Sequence, residues 1–341
     1  MMKNGFLFAL IALLFLFSAN AVYAQRGTAR SEVVNIRLAS ALPRNSDWGR
    51  ALERLVADWK RVTGNQVNAV VHHDGREGTE SDMLRKLNSD AIQVAVFTSA
   101  GISEICPAIM TLSVPFMIQT TSELETVLLN VQPILESRVN SDFVVLGWSK
   151  GGWVYVFSKE KVLLPDELRR QRLGTSPELS QMNTVFRTMG YTLVEADLVN
   201  IGQRLASNMV NAIYMIPAAI APMQVHRSLN HMLDMPIAPI MGALVMNRVT
   251  WNKLSAANQQ EILNVTRQFA IDFDRSMART EANALAMMER DRLNVNKPNQ
   301  EQKDIWQSDI QRAIPSLVGT IFDRELYTRI NEILERTRSG R

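Results

Sequence analysis

Residues 255–292 contain neither glycine nor proline. Apolar side chains recur through that run at helical spacing, at Ile262, Leu263, Phe269, Phe273, Met277, Leu285 and Met288. At about 1.5 Å per residue, an unbroken helix over it is about 50 Å long. A rod of that length is wider than one ordinary domain. The pattern predicts a strut lying across two lobes with a cleft between them.

The opposite end of the chain reads as an export signal. Lys3 supplies the positive charge, and residues 6–17 form an apolar run too short to span a bilayer comfortably. Val22, Tyr23 and Ala24 suit cleavage after Ala24, so residues 1–24 are expected to be a signal peptide and 25–32 a polar leader. The expected location is the periplasm. About 300 residues remain, room for two domains. A formal net charge of +3 with scattered basic residues leaves no electrostatic footprint for nucleic acid. Cys106 stands alone and is expected to be a small buried hydrophobe.

Val34, Ile36 and Leu38 alternate with polar residues, as a first strand does. Asn45 or Ser46 can cap a helix carrying Leu52, Leu55, Val56, Trp59 and Val62, ended by Gly64. Val67, Ala69 and Val71 make a second strand, closed by an Asp74-Gly75 turn. Thr79 and Asp82 form a capping pair for a helix bearing Met83, Leu84 and Leu87. Residues 92–97 are a continuous apolar strand, as inside a parallel sheet. This β-α-β-α-β order opens a doubly wound α/β lobe. Further strands are expected at 143–148, 153–157, 191–194 and 243–247. Helices are expected at 177–189, ended by Gly190, and near 301–312 and 323–335.

Several of these residues, taken in order, resemble a known family. Ile36-Arg37-Leu38-Ala39-Ser40, then Pro43 and the helix at 51–64, look like the opening of a TRAP-transporter periplasmic solute receptor of the DctP type. Asp74-Gly75 with Gly78 resembles its glycine-containing turn, and Ala91-Ile92-Gln93-Val94-Ala95-Val96 its "G-A-I-D-M-A" strand. Val114-Pro115-Phe116 is similar to its "L-P-F", and Gly147-Trp148 with Gly152 to its next strand pair. The resemblance implies a two-lobed periplasmic binding protein fold, class II-like, with a hinge and a long helix bracing both lobes. Lobe one would take residues 33–155 plus about 244–270, and lobe two 156–243 plus about 271–341. It also implies a receptor that closes on a small molecule and delivers it to TRAP membrane subunits.

The departures bear on the ligand. After Pro165-Asp166-Glu167-Leu168 the family carries "K-G-L-K-I-R", whose arginine pins a substrate carboxylate; here Gly174 stands at that arginine. Arg172 keeps the same strand face but lies about 7 Å away. The family's "G-V-V-D-G-x-E-N" becomes Asn208 to Met215, with Asn211 at the acidic position. A carboxylate between lobes needs a bidentate, permanently charged partner, and without one its desolvation costs several kcal/mol. The expected ligand is therefore neutral or hydrophobic. The resemblance is then to a divergent branch whose receptors pair with a periplasmic tetratricopeptide-repeat protein. The alternative is a periplasmic carrier of lipid or another hydrophobic ligand with no transport role.

Ligands of open α/β lobes sit at strand carboxyl ends near helix N-termini. That rule selects Trp48, Thr98 and Ser99 in lobe one. Trp148 and Trp153, near the crossover, offer apolar area and one donor each, or pack in the core. In lobe two the candidates are Gly174, Asn183, Asn211, Tyr214 and Met215. The methionines crowded between 182 and 246 can line an apolar pocket or fill a core.

No enzyme motif is present. His72 and His73 are adjacent on a strand and point to opposite faces, so they do not share a metal. There is no H-E-x-x-H, no G-x-S-x-G and no phosphate-cradling glycine loop. No catalytic residue, cofactor or metal is expected.

Overall fold

The computed structural model describes residues 33–196 and 200–340; the expected signal peptide at 1–24 and leader at 25–32 lie outside the described residues. The chain begins with β1 (Val34–Ala39), α1 (Asp47–Val62), β2 (Val67–His72), α2 (Glu80–Asn88) and β3 (Val94–Thr98). The Ser46 hydroxyl accepts from the Gly49 amide to cap α1, which buries Leu52, Leu55, Val56 and Trp59. The Thr79–Asp82 capping box starts α2. Asp74 and Gly75 both have positive φ, which gives the turn after β2 its shape. β1 pairs in parallel with both β2 and β3, giving the order β2-β1-β3.

After α3 (Ser99–Ile105) comes α4 (Thr121–Ser137), which the sequence reading missed because Pro133 sits inside it. β4 (Phe143–Ser158) follows. Two strands were expected here, and the structure has one of 16 residues. Gly151 and Gly152, which look like a break, instead form an irregularity within the strand. Register shifts fall between Val145 and Gly147 and between Lys150 and Gly152, with Gly152 at φ +105°. A bulge bends a strand without ending it, and glycine is the residue that accepts that φ.

α5 (Pro165–Arg169), β5 (Arg172–Thr175), α6 (Ser180–Thr188), β6 (Thr192–Glu195), α7 (Ile201–Ala206), β7 (Ala212–Met215) and α8 (Pro217–Met223) build a second parallel set. In it β5 lies between β6 and β7. The helix expected over 177–189 is a 3-10 turn, Pro177–Leu179, followed by α6. β8 (His231–Leu233) and β9 (Ala238–Asn247) come next, β9 running five residues further toward the N-terminus than expected. β4 pairs antiparallel with β9 along 143–154 and then with β7 along 155–158. The sheet order is β2-β1-β3-β9-β4-β7-β5-β6. β4 and β9 thus carry the chain between the two parallel sets.

α9 (Arg248–Lys253) precedes the long helix, α10 (Ala256–Arg290), capped by Ser255. At 35 residues it spans about 52 Å. It packs on α1, β4 and α8. The Trp59 indole N–H donates to Thr266 Oγ1 at 3.0 Å. β10 (Asn294–Asn296), α11 (Gln300–Ala313) and α12 (Arg324–Arg338) close the chain.

The chain end is tied down by Arg338, which donates to both Glu123 oxygens and to the Met117 carbonyl. Burial pushes the Glu123 carboxyl up, but Arg338 and the Gln119 amide outweigh it and hold it below the usual range. Arg338→Ala leaves that acid unpaired. Because Arg338 is 40% exposed, the expected loss is about 1–3 kcal/mol, read from the urea midpoint. Stability gained from a depressed carboxyl is lost as pH falls through its folded value, so the difference between wild type and variant shrinks in acid.

Candidate functional site

The parallel strands of each set end together, at Ala39, His72 and Thr98 in one and at Thr175, Glu195 and Met215 in the other. The crossover strands link those ends. Thr98 pairs with Gly242, Gly242 with Ser149, and Ala243 with Trp148. Further along β4, Trp153 pairs with Pro239 and Tyr155 with Met215. Thr98, Trp148, Trp153, Tyr214 and Met215 are therefore brought onto one continuous piece of sheet.

Their side chains differ in how free they are. Trp48 is partly buried against Phe273 of the long helix, with ring centroids 6.2 Å apart. The indole N–H groups of Trp48 and Trp148 are both buried and have no protein partner. Trp153 donates its indole N–H to Thr121 Oγ1 at 3.3 Å. Tyr214 sits edge-on to Phe186, centroids 4.9 Å apart, and burial pushes its phenol up. Thr98 caps α3 and donates to Glu80 Oε2. Ser99 exchanges hydrogen bonds with the Met241 backbone, pinning β3 to β9.

Two expected contacts are engaged with neighbouring elements of the second parallel set. The Asn183 carbonyl accepts from Thr175 Oγ1 at 2.6 Å and its amide donates to the Ser176 carbonyl at 2.9 Å. Asn211 accepts from the Arg172 amide at 2.6 Å, which aligns β5 with the chain entering β7. Gly174 is enclosed. A Cβ there would lie 2.8 Å from Val210 Cγ1 and 3.2 Å from Ile201 Cδ1. Of the crowded methionines, Met182, Met189, Met232, Met235, Met241 and Met246 are core, whereas Met209 and Met223 are exposed.

The cations are mostly occupied. Arg172, at the start of β5 and thus the end away from Thr175, caps the Asn208 and Met209 carbonyls. Arg169 is held by Asp166 and Asp309, and Lys150 by Glu125 and Asp274. Arg76, exposed in the turn after β2, makes no ion pair among the described residues. Sequence reading missed Glu80, whose carboxylate accepts from the Thr98 and Gly101 amides at 2.9 and 2.7 Å. Burial raises this carboxyl, the two amides pull against the rise, and the Glu178 charge adds to it. Its only sequence signal was its place in the first turn of α2.

A cavity of about 30 Å³, room for a water or two, lies between the crossover strands and α10, with Leu42, Ser149, Ala243 and Phe273 among its walls. An open groove of about 710 Å³ runs between α1 and α10 over Trp48, Leu55 and Phe269. It belongs to two helices and not to the strand ends. His72 and His73 go to separate carboxylates, Glu77 and Glu53. Among the described residues no group of three or more His, Cys, Asp or Glu side chains is placed to hold a metal ion, and no helix is long and apolar enough to cross a membrane.

Comparison with known proteins gives this arrangement a context. A solute-binding protein of Verminephrobacter eiseniae is 21% identical over 243 residues, covering 69% of this chain and 71% of that one. The crystal structure of a TRAP periplasmic solute-binding protein from Chromohalobacter salexigens, with bound D-glucuronate, is similar at a TM-score of 0.79 and 16% identity, covering 87% of this chain and 99% of that one. One from Ochrobactrum anthropi, with its C-terminus bound in the ligand-binding pocket, is similar at 0.80 and 15%, covering 92% and 98%. Those folds are two-lobed, as this one is. The family model for bacterial extracellular solute-binding proteins, family 7 (DctP), matches residues 38–318. The chain belongs to that family of periplasmic solute receptors.

Proposed function

We propose that this receptor serves a TRAP-type secondary transporter and captures a neutral or mainly apolar small molecule between its lobes. Lobe one takes residues 33–155 with about 244–270, lobe two 156–243 with about 271–341, and the lobes close by bending at the crossover strands. Residues 1–24 direct export and are cleaved. The closed form delivers its cargo to membrane subunits, and the tetratricopeptide-repeat partner belongs to the same reading.

One observation carries the ligand class. The β5 position at which the family resemblance calls for a carboxylate-binding arginine is Gly174, and the nearest arginine on that strand, Arg172, is engaged with backbone carbonyls at the far end. Leaving an organic anion unpaired between the lobes costs several kcal/mol. Trp148, Trp153 and Tyr214 supply polarizable, largely apolar surface on β4 and β7, while Met215, next to Tyr214, packs on the other face of β7. The expected result is a preference of about 100-fold or more for a neutral ligand over its carboxylate analogue, since several kcal/mol is at least two decades. Gentle purification, organic extraction and mass spectrometry identify the cargo, and calorimetry with the neutral and acid forms reads the ratio.

A second reading is an organic-acid receptor. It is favoured by the glucuronate in the Chromohalobacter structure and by Arg76, which has no ion-pair partner among the described residues. Recovery of a small acid whose binding is abolished by Arg76→Gln decides for it and against the neutral cargo.

A further inference from the structure

The long helix grips the crossover strand where that strand is least regular. The Lys150 backbone N–H donates to Asp274 Oδ1 at 2.7 Å, and the Trp153 backbone N–H donates to Glu281 Oε1 at 3.1 Å. Asp274 and Glu281 are seven residues apart on α10, two turns, and so share a face. Between the two amides lie Gly151 and the positive-φ Gly152, at the register shift. A bulge takes backbone groups out of the ladder, and a buried N–H left unpaired is costly. Here two carboxylates replace the missing strand partners.

The surroundings make this a built contact. Lys150 Nζ lies 2.6 Å from Glu125 Oε1 and 3.5 Å from Asp274 Oδ2, so α4, β4 and α10 meet through one ammonium. A Cβ on Gly152 would lie 3.6 Å from Glu281 Oε1. The residues α10 buries are otherwise small or apolar, among them Ala270, Met277 and Ala284. Two acids turned inward among them lose hydration, and helix formation does not require them.

We propose that Asp274 and Glu281 form a latch on the crossover strand, and that releasing these two bonds is the step that lets the two parallel sets move relative to each other. The latch rests on the hinge reading given above, but not on the identity of the cargo. Asp274 and Glu281 act on ligand binding only by positioning β4.

The latch is proton-linked. Burial pushes the Asp274 carboxyl up to about 6, against the pull of the Lys150 amide and ammonium, with the Glu125 charge adding to the rise. Burial also raises Glu281, against the Trp153 amide; it faces Tyr155, which in turn faces Asp234. The engaged state holds its proton more tightly than a solvated carboxyl would. Low pH therefore favours the engaged latch, and that advantage is lost as pH rises through about 6. The rise of the Asp274 carboxyl to about 6 corresponds to about a 100-fold change in the opening equilibrium over the whole titration, of which about tenfold falls between about pH 5 and about pH 7.5.

Amide hydrogen exchange on the ligand-free full chain tests this, at about pH 5 and about pH 7.5 with intrinsic rates divided out. The expected result is Lys150 and Trp153 amides that open more readily at the higher pH. Asp274→Asn keeps an acceptor oxygen and removes the charge, so it should hold the low-pH protection at both values. Asp274→Ala and Glu281→Ala should raise exchange at Lys150 and Trp153 respectively by about tenfold or more, with β1 unchanged. Equal exchange in wild type and the double alanine variant overturns the latch. Unchanged spin-label distances between residues 70 and 187 in the Asp274→Asn, Glu281→Gln variant across that pH range, while the wild-type distances shift, support the proton link; distances that shift alike in both overturn it.

Discussion

Gly49→Ala destabilises the protein by about 3–5 kcal/mol, at the upper end of what overpacking costs. Gly49 sits in the first turn of α1, directly under the chain that leaves β1. A Cβ there would lie 2.3 Å from the Pro43 carbonyl oxygen and 2.6 Å from the Arg44 carbonyl oxygen. Both obstacles are backbone, so no side-chain rotation relieves them. The loop cannot easily retreat, because the Arg44 amide is bonded to Asp74 Oδ1 and the Leu42 carbonyl accepts from the Asp74 amide. Those bonds join the ends of β1 and β2. Urea unfolding reads the loss of stability, and a change below about 1 kcal/mol shows that the loop yields freely.

Trp59→Ala carries an effect of similar size, about 3–5 kcal/mol. Trp59 is 0% exposed and fills the space between α1, the sheet and the long helix. Its indole N–H donates to Thr266 Oγ1, and that hydroxyl donates onward to the Ile262 carbonyl. Alanine removes a fully buried tryptophan from that core and leaves a cavity where α1 meets α10. The lone hydrogen bond is separable. Thr266→Val keeps the shape but strands a buried indole N–H, at about 1–3 kcal/mol. Denaturation of the two single variants and the double variant forms a cycle, and additive losses would show that the bond contributes nothing of its own.

These two positions show what kind of information the sequence carries. The α1 pattern, its serine cap and its Gly64 stop are visible because helix-forming signals act within four residues. The same locality makes the Thr79–Asp82 box and the 35-residue helix readable to within two residues at either end. Where locality misled, glycine and proline were responsible. Gly151-Gly152 looks like the end of a strand and is a bulge inside one. Pro133 obscured α4, although a proline there is tolerated once the rest of the helix is packed.

The candidate site was legible in outline only. The strand-end rule selected Thr98 and family order selected Tyr214 and Met215, and the structure places these residues on linked strands of one sheet. Neither indicated that Asn183 would be fully occupied by Thr175 and Ser176, or that Glu80 would reach over to the start of α3.

The sequence by itself determined the opening β-α-β-α-β order, the extent of the long helix, the absence of an arginine at position 174 and the mixed charge. Tertiary structure alone decided which charges meet. Lys150 and Asp274 are 124 residues apart, Trp153 and Glu281 are 128 apart, and Arg338 finds Glu123 across 215. No local preference specifies such pairs. They exist because burial of apolar faces brings the sheet and the long helix together, and the backbone groups left unpaired at the β4 bulge take acceptors that this packing puts within reach.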